Sequence, residues 1–500
     1  MKAAAIFSDN MVLQRNKPVR IFGTGNENEK ITADILGNTA FAFVENGKWE
    51  IVLPPMKENK SCTITVKSNN DTVVFKNVAV GEVWLAGGQS NMEFELQNDK
   101  NGFNALKTCA DENVRFYYTG KCSMLDENLY ENEKNSCWKI SSPENSKNWS
   151  AVGYYFAREL SRKLNVTVGI IGCNWGGTSA SAWISRDYLQ RDERLLPYIR
   201  DYETAIKGKS TEQMIKEYDE YVIHQEQWDR KKDLCYMENP RIKWSKVIKI
   251  CGENLYPGPM GCKNPMRPCG LYETMISRVK PYTLRGFLYY QGESDDHRPE
   301  SYYALLSALI ECWRKEWKDN LSFLNVQLPM FKYADDPDYK NWAEIRQAQM
   351  NVYKTVKNTG LAITLDCGEF NNIHPVDKEP VAHRLYLQAL SEVYGIAEIS
   401  ETMPPVFREF YREGDDIILM FDNPSDFDLK GDLKDFEISY GEEYFPAKAR
   451  IDGKCIILSA EHDREVKSVR YLWTNYTNIT LYAENGLPVP PFNTESDSCF

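Results

Sequence analysis

Four runs of buried-strand character recur along this chain, and each breaks into a polar loop that carries glycine. Residues 78–85 lead into Gly87-Gly88-Gln89-Ser90-Asn91-Met92, and residues 166–172 into Asn174-Trp175-Gly176-Gly177-Thr178. Residues 284–290 lead into Gln291-Gly292-Glu293-Ser294-Asp295. Residues 361–365 lead into a longer loop, Asp366-Cys367-Gly368-Glu369-Phe370-Asn371-Asn372-Ile373-His374-Pro375. Near-continuous apolar and aromatic runs suit strands covered on both faces, and helical patterns separate these four. The expectation is an α/β layer fold with a mainly parallel sheet. In such sheets sites form outside the carboxyl ends of the strands, so loops far apart in sequence converge on one pocket.

A hydroxyl, an imidazole and amide donors would then meet, which are the groups acyl transfer needs. Ser90, delivered by a tight turn after two glycines, is the candidate nucleophile; taken alone, it is equally a helix cap. The chain has five histidines. His462 falls in a later β-type stretch, His224 in a charged helical segment, His383 in a helix-like run and His297 behind an acidic loop tip. His374, on a strand-end loop and stiffened by the following proline, is the candidate base.

The flanks differ in texture. Residues 1 to about 78 read as short strands between Gly, Asn and Pro turns, the pattern of an antiparallel sandwich. Residues 401 to about 490 read similarly, either as a separate β domain or packed on the first. With 500 residues, 42% apolar and 12% aromatic, the chain has ample material for several cores. The expected division is 1–78 as an N-terminal β-sandwich domain, 79–400 as the catalytic domain with an insert at about 200–268, and 401–500 as a C-terminal β-rich domain. A net charge of −12 without a long Lys/Arg block argues against a nucleic-acid partner. No stretch of about 18 apolar residues predicts a membrane span. Thirteen cysteines, an odd number without a C-x-x-C pair, and no evident leader point to a reducing cytoplasm, the alternative being export with a signal peptide removed. No metal motif appears, and no cofactor is expected.

The blocks around these loops resemble those of the sialate O-acetylesterase family, within the SGNH hydrolase superfamily of carbohydrate esterases. The resemblance rests on Gly-Glu-Val-Trp-Leu-x-x-Gly-Gln-Ser-Asn-Met from Gly81, Trp175-Gly176-Gly177-Thr178, Tyr290-Gln291-Gly292-Glu293-Ser294 and Ile373-His374-Pro375-x-x-Lys378. Met11-Val12-Leu13-Gln14-Arg15, Ile345-Arg346-x-Ala348-Gln349 and Asn485-Gly486-Leu487-Pro488 are also similar to family landmarks, so the likeness spans nearly the whole chain. It implies an SGNH-type, flavodoxin-like three-layer α/β/α catalytic domain with flanking antiparallel β-sandwich segments. It also implies Ser90 as nucleophile, His374 as base, and the amides of Ser90 and Gly177 with the side chain of Gln291 as oxyanion donors. Gly177 equally permits a tight turn, and Gln291 equally ties two loops together. Asn91 and Glu293 are expected to hold the loops.

One departure concerns the third member of the site. The family usually has aspartate where this chain has Asn372, and loss of that charge costs a serine protease about four orders of magnitude in turnover. Either a neighbouring carboxylate, Glu369, Asp366 or Asp377, replaces it, or the site works as a Ser-His dyad, or the enzyme has lost much of its activity; a working enzyme with a substituted or absent acid is the expectation. The insert is expected to be a solvated helical hairpin away from the site; its alternative is a pocket wall that recognises sugar through Trp228 or Tyr256. The resulting expectation is a serine esterase that removes O-acetyl groups from a small sugar, sialate first. Acetylated xylan or mannan oligosaccharides, and a sugar-binding protein on a decayed esterase fold, are the alternatives.

Overall fold

One 17-residue strand, β1 (Thr72–Gly88), joins the N-terminal strands to the central sheet. Its first half pairs antiparallel with Asn59–Lys67, residues 79–81 pair in parallel with Val12–Gln14, and residues 82–88 form a central strand. The remaining central strands are β2 (Asp111–Tyr118), β3 (Lys139–Ser141), β4 (Val168–Asn174), β5 (Gly286–Tyr290), β6 (Ser322–Val326) and β7 (Thr359–Ala362). Their spatial order is β3-β2-β4-β1-β5-β6-β7. Every neighbouring pair is parallel except β3 with β2. The chain builds first to one side of β1 and then to the other, so the crevice expected of such a sheet opens at the carboxyl end of β1.

These strands form because both faces are covered. All residues of β4 and β5 are buried. On one face Trp84 meets Phe156 of helix α1 (Ala151–Leu164) edge-on at 5.2 Å. In the sequence interval before β5, the insert supplies α2 (Thr211–Glu238) and α3 (Trp244–Cys251). On the other face Phe287 and Phe323 pack on Trp313 of α4 (Pro299–Trp317), beside α5 (Asn341–Thr355). Helix α6 (Glu379–Gln388) packs with α1. Each such large apolar side chain contributes about 1.5–3 kcal/mol by leaving water. The result is a mixed α/β fold around one central sheet.

The structure, a computed structural model, describes residues 1–495 apart from 126–128, 130–132, 134, 240, 241, 335 and 463. Cys499, the last five residues of the C-terminal segment and positions 240–241 of the insert lie outside the described residues. The N-terminal strands share the core of the central sheet, with Val12, Ile21, Ile31 and Ile64 in one cluster with Trp84 and Trp313. The C-terminal strands form a second cluster with Met350 of α5 and Leu361 of β7, and no N-terminal residue belongs to it. Among the described residues no helix is long and apolar enough to cross a membrane, and the twelve described cysteines are free thiols.

The base of β1 is pinned by a buried carboxylate. Glu82 accepts hydrogen bonds from Gln14 Nε2 (3.0 Å), Arg15 Nε (2.6 Å) and Arg285 Nε (2.8 Å). Burial pushes its pKa up, but the two guanidiniums and Gln14 more than offset this and hold it below the ordinary carboxylate value. Met11-Val12-Leu13-Gln14-Arg15 is thereby explained as the strand and clamp that seat the N-terminal segment on β1.

Candidate active site

Ser90 opens a short helix, Ser90–Glu93, directly beyond β1. The turn into it requires glycine at position 88, where φ is +128° and a Cβ would lie 2.1 Å from the Tyr290 carbonyl oxygen. Registers of β4 and β5 place Asn174 and Tyr290 level with Gly88, so the loops after these two strands flank Ser90 on both sides. The loop after β7 closes the third side. His374 Nε2 lies 2.9 Å from Ser90 Oγ. The first and fourth of the loops expected to converge therefore meet within hydrogen-bonding distance.

The imidazole is half-buried, and burial, then the nearby Lys378 ammonium, push its pKa below the ordinary 6.5, with Glu93 pulling the other way. A neutral ring at neutral pH is what a proton acceptor requires. No protein group meets His374 Nδ1 among the described residues. Asn372 directs Oδ1 to the backbone N–H of His374 (3.1 Å) and Nδ2 to Glu369 Oε2 (2.8 Å), while Glu369 Oε1 accepts from the Val376 amide (2.8 Å). Asn372 and Glu369, the expected orienting members, thus shape the loop and do not touch the ring. Asp366 is engaged by Arg384 and Asp377 by Lys100. Ser90 and His374 thus form a hydrogen-bonded pair that no described carboxylate joins.

Gln291 requires a second correction. Its Nε2 donates to Asp295 Oδ2 (2.6 Å) and to the Thr178 carbonyl (3.3 Å), and its Oε1 accepts from Tyr302 (2.9 Å). With both amide hydrogens taken and no exposure, the side chain ties the loops after β4 and β5 together instead of facing the cleft. Asp295 is the hub of that tie, accepting also from Ser179 Oγ (2.6 Å), the Ala180 amide (2.9 Å) and Tyr198 (3.0 Å). The backbone amides of Ser90 and Gly177, by contrast, donate to no protein group among the described residues. Glu93 holds the Gly177 loop from below by accepting the Gly176 amide at 2.7 Å.

Behind the dyad lies a polar network. Asn91 Nδ2 donates to Glu293 Oε1 (2.5 Å) and to the Ile373 carbonyl (3.0 Å), and Asn91 Oδ1 accepts from Lys378 Nζ (2.6 Å). One amide therefore joins the helix of Ser90 to the loop of His374. Burial lowers the Lys378 pKa to about 8 and raises that of Glu293, whose Oε2 has no hydrogen-bond partner among the described residues. Lys378 stands in the block that carries the resemblance, but its burial is a tertiary property that no local pattern signals.

Ser90 and His374 open onto a cleft of about 950 Å³. Its walls include Gly177, Tyr198, Tyr202, Glu293, Arg298 and Tyr333, with Tyr256, Met260 and Met266 from the insert. The insert does two things. Trp228, Cys235, Val247 and Cys251 make a small core of their own between α2 and α3, and Trp228 Nε1 donates to the Gly252 carbonyl (2.9 Å). Trp228 is therefore a hairpin core residue and not a sugar platform, whereas Tyr256 stands in the cleft. Among the described residues no cluster of His, Cys, Asp and Glu could hold a metal ion.

Residues 262–375 match the family described as carbohydrate esterase, sialic acid-specific acetylesterase. The sialate O-acetylesterase of Rattus norvegicus is 26% identical over 545 residues, covering 98% of this chain and 93% of that protein. That of Homo sapiens is 25% identical over 536 residues, covering 98% and 91%. The crystal structure of a carbohydrate acetylesterase from Xanthomonas citri superposes with a TM-score of 0.78 at 26% identity, covering 98% of this chain and 99% of the other. Fold, site and likeness over the whole length together define a carbohydrate esterase. Within that class, the chain is similar over nearly its whole length to the sialate O-acetylesterases.

Proposed function

We propose that the protein removes O-acetyl groups from sugars through an acetyl-enzyme on Ser90, with sialate as substrate. The 2.9 Å contact between Ser90 Oγ and His374 Nε2, inside a cleft large enough for a sugar, carries this reading. His374 takes the Ser90 proton as Oγ bonds to the acetyl carbon, and the carbonyl π pair moves onto oxygen beside the Ser90 and Gly177 amides. Collapse breaks the bond to the sugar oxygen, which leaves with the proton from His374. Water, deprotonated by the same imidazole, attacks the acetyl carbon, and Ser90 regains a proton as acetate departs.

The parallel sheet with its site at β1 supports an SGNH-type, flavodoxin-like catalytic region at 79–400, flanked by a sandwich at 1–78 and a β-rich domain at 401–500. The free thiols support a reducing, cytoplasmic location. A second substrate class, neutral acetylated oligosaccharides, draws support from Arg298, whose guanidinium on the cleft wall is paired with Asp201 and so carries less attraction for a sugar carboxylate.

Purified protein should release acetate from a small aryl acetate, and Ser90→Ala should abolish it; unchanged activity in the variant would end the mechanism. Acetate release from O-acetylated sialic acid against acetylated xylo- and manno-oligosaccharides decides the substrate.

A further inference from the structure

With Gln291 committed to Asp295, the expected oxyanion pocket retains two backbone amides and lacks a side-chain donor. The insert places a hydroxyl there. Gly177 has φ +74°, and a Cβ built on it would lie 2.1 Å from Tyr256 Oη and 2.8 Å from Met266 Cε. The Tyr256 hydroxyl is therefore packed directly on the residue whose amide is the second oxyanion donor. The same loop touches the nucleophile, since a Cβ on Gly176 would lie 3.3 Å from Ser90 Cβ. Tyr256, Gly177, Ser90 and His374 all face one cleft. The Tyr256 hydroxyl meets no hydrogen-bonding group among the described residues.

The loop that carries this tyrosine is held in place. Asn264, fully buried, donates from Nδ2 to the carbonyls of Pro257 (3.1 Å) and Pro259 (3.2 Å), and its Oδ1 accepts the Met266 amide (2.8 Å). Gly258 rests against the ring of Tyr221 on α2 without room for a Cβ, the nearest ring carbon being 2.5 Å from where that atom would stand. The hairpin thus serves as a buttress for the segment that reaches over the site.

We propose that Tyr256 is a further catalytic residue of this esterase, its hydroxyl donating to the acetyl oxygen alongside the Ser90 and Gly177 amides. The residue is 52% exposed, and desolvation around its hydroxyl moves the phenol up from an ordinary value already near 10, so it keeps its proton at the pH of catalysis and remains a donor. The inference rests on the Ser90 acetyl-enzyme reading and extends it: the insert, which a hydrolase sheet does not need for its fold, completes the oxyanion pocket.

Tyr256→Phe removes the hydroxyl and keeps the ring against Gly177. Turnover of an aryl acetate, which has no sugar, should fall about 10²-fold with KM little changed, and turnover of an O-acetylated sugar should fall by the same factor. Affinity for a trifluoromethyl ketone that forms a tetrahedral adduct should fall in parallel. That measurement also decides the matter if the variant melts lower, because it reads only folded protein. Loss confined to sugar substrates and expressed in KM would overturn the proposal and make Tyr256 a sugar contact, and so would wild-type kinetics on both substrates. Ser90→Ala, run beside it, separates the two ideas: if that variant stays active the acetyl-enzyme reading fails, whereas an inactive Ser90→Ala with an unimpaired Tyr256→Phe removes Tyr256 alone.

Discussion

Lys378 offers a direct measure of how much charge the fold holds behind the dyad. Its side chain is fully buried, donates to Asn91 Oδ1 at 2.6 Å, and lies 4.8 Å from the Phe94 ring and 5.6 Å from that of Tyr290. Burial lowers its pKa from 10.5 to about 8, and the facing groups Glu293, Cys367, Asp99 and Glu369 only partly offset this. Because the folded value lies below the unfolded one, the unfolded chain binds more protons between them, and stability rises with pH through that window. With these two values the ionised lysine costs the fold about 3.3 kcal/mol at pH 7 and about 1.4 kcal/mol at pH 9.5, a gain of about 2 kcal/mol on going up. Lys378→Met has no such proton. Urea denaturation at both pH values should show the wild type gaining about 2 kcal/mol more than the variant, and taking the difference cancels the titration of the buried tyrosines. Parallel behaviour of the two proteins, within about 0.5 kcal/mol, would refute the picture of an ionised lysine buried at that position.

Three further outcomes follow from the same geometry. The acid limb of kcat/KM should inflect below pH 6.5, since burial and Lys378 disfavour the His374 imidazolium, and Lys378→Met should move it upward; an inflection at or above 6.5 in the wild type contradicts the assignment. Glu82→Gln should lower stability by about 3 kcal/mol in denaturant titration, because it leaves Arg15 and Arg285 without their buried counter-charge; a change under about 1 kcal/mol would show that water screens the pair. Asn372→Asp should change turnover less than about tenfold, because the new carboxylate replaces an amide that donates to Glu369 at 2.8 Å and the two acids must share a proton; a gain of about 10²-fold would show that the side chain swings to His374 Nδ1.

The central sheet was legible because its strands are buried on both faces, which leaves short, near-continuous apolar runs rich in β-branched residues, such as 166–172, bounded by glycine-bearing loops. Strand β6 escaped notice for the complementary reason: Ser322-Phe323-Leu324-Asn325-Val326 puts two polar residues inside, and the run is too short to stand out. The contact between Ser90 and His374 was legible because both sit on strand-end loops, whose meeting follows from the sheet topology. The hydrogen-bond partners of Gln291 and Asn372 were not, since their direction depends on which neighbour satisfies them. Gln291 turns away because Asp295 lies four residues on in the same loop and takes its amide. Asn372 turns away because its own loop offers both Glu369 and the His374 backbone.

The absence, among the described residues, of a carboxylate on His374 gives the remaining charges a definite meaning. In a triad the third member stabilises the imidazolium as Ser90 gives up its proton. Here the fixed charges around the ring are Lys378, which disfavours that cation, and Glu93, which favours it. Under the mechanism proposed above, an imidazolium formed in such a setting would be a stronger acid than usual, so that protonation of the departing sugar oxygen would be helped and the first proton transfer hindered. On that proposal, stabilisation of the nascent oxyanion would carry more of the first step, through the proposed donors, the Ser90 and Gly177 amides and the Tyr256 hydroxyl packed against Gly177. In this chain the first barrier is therefore expected to respond more steeply to the loss of the Tyr256 hydroxyl than to any change at Asn372.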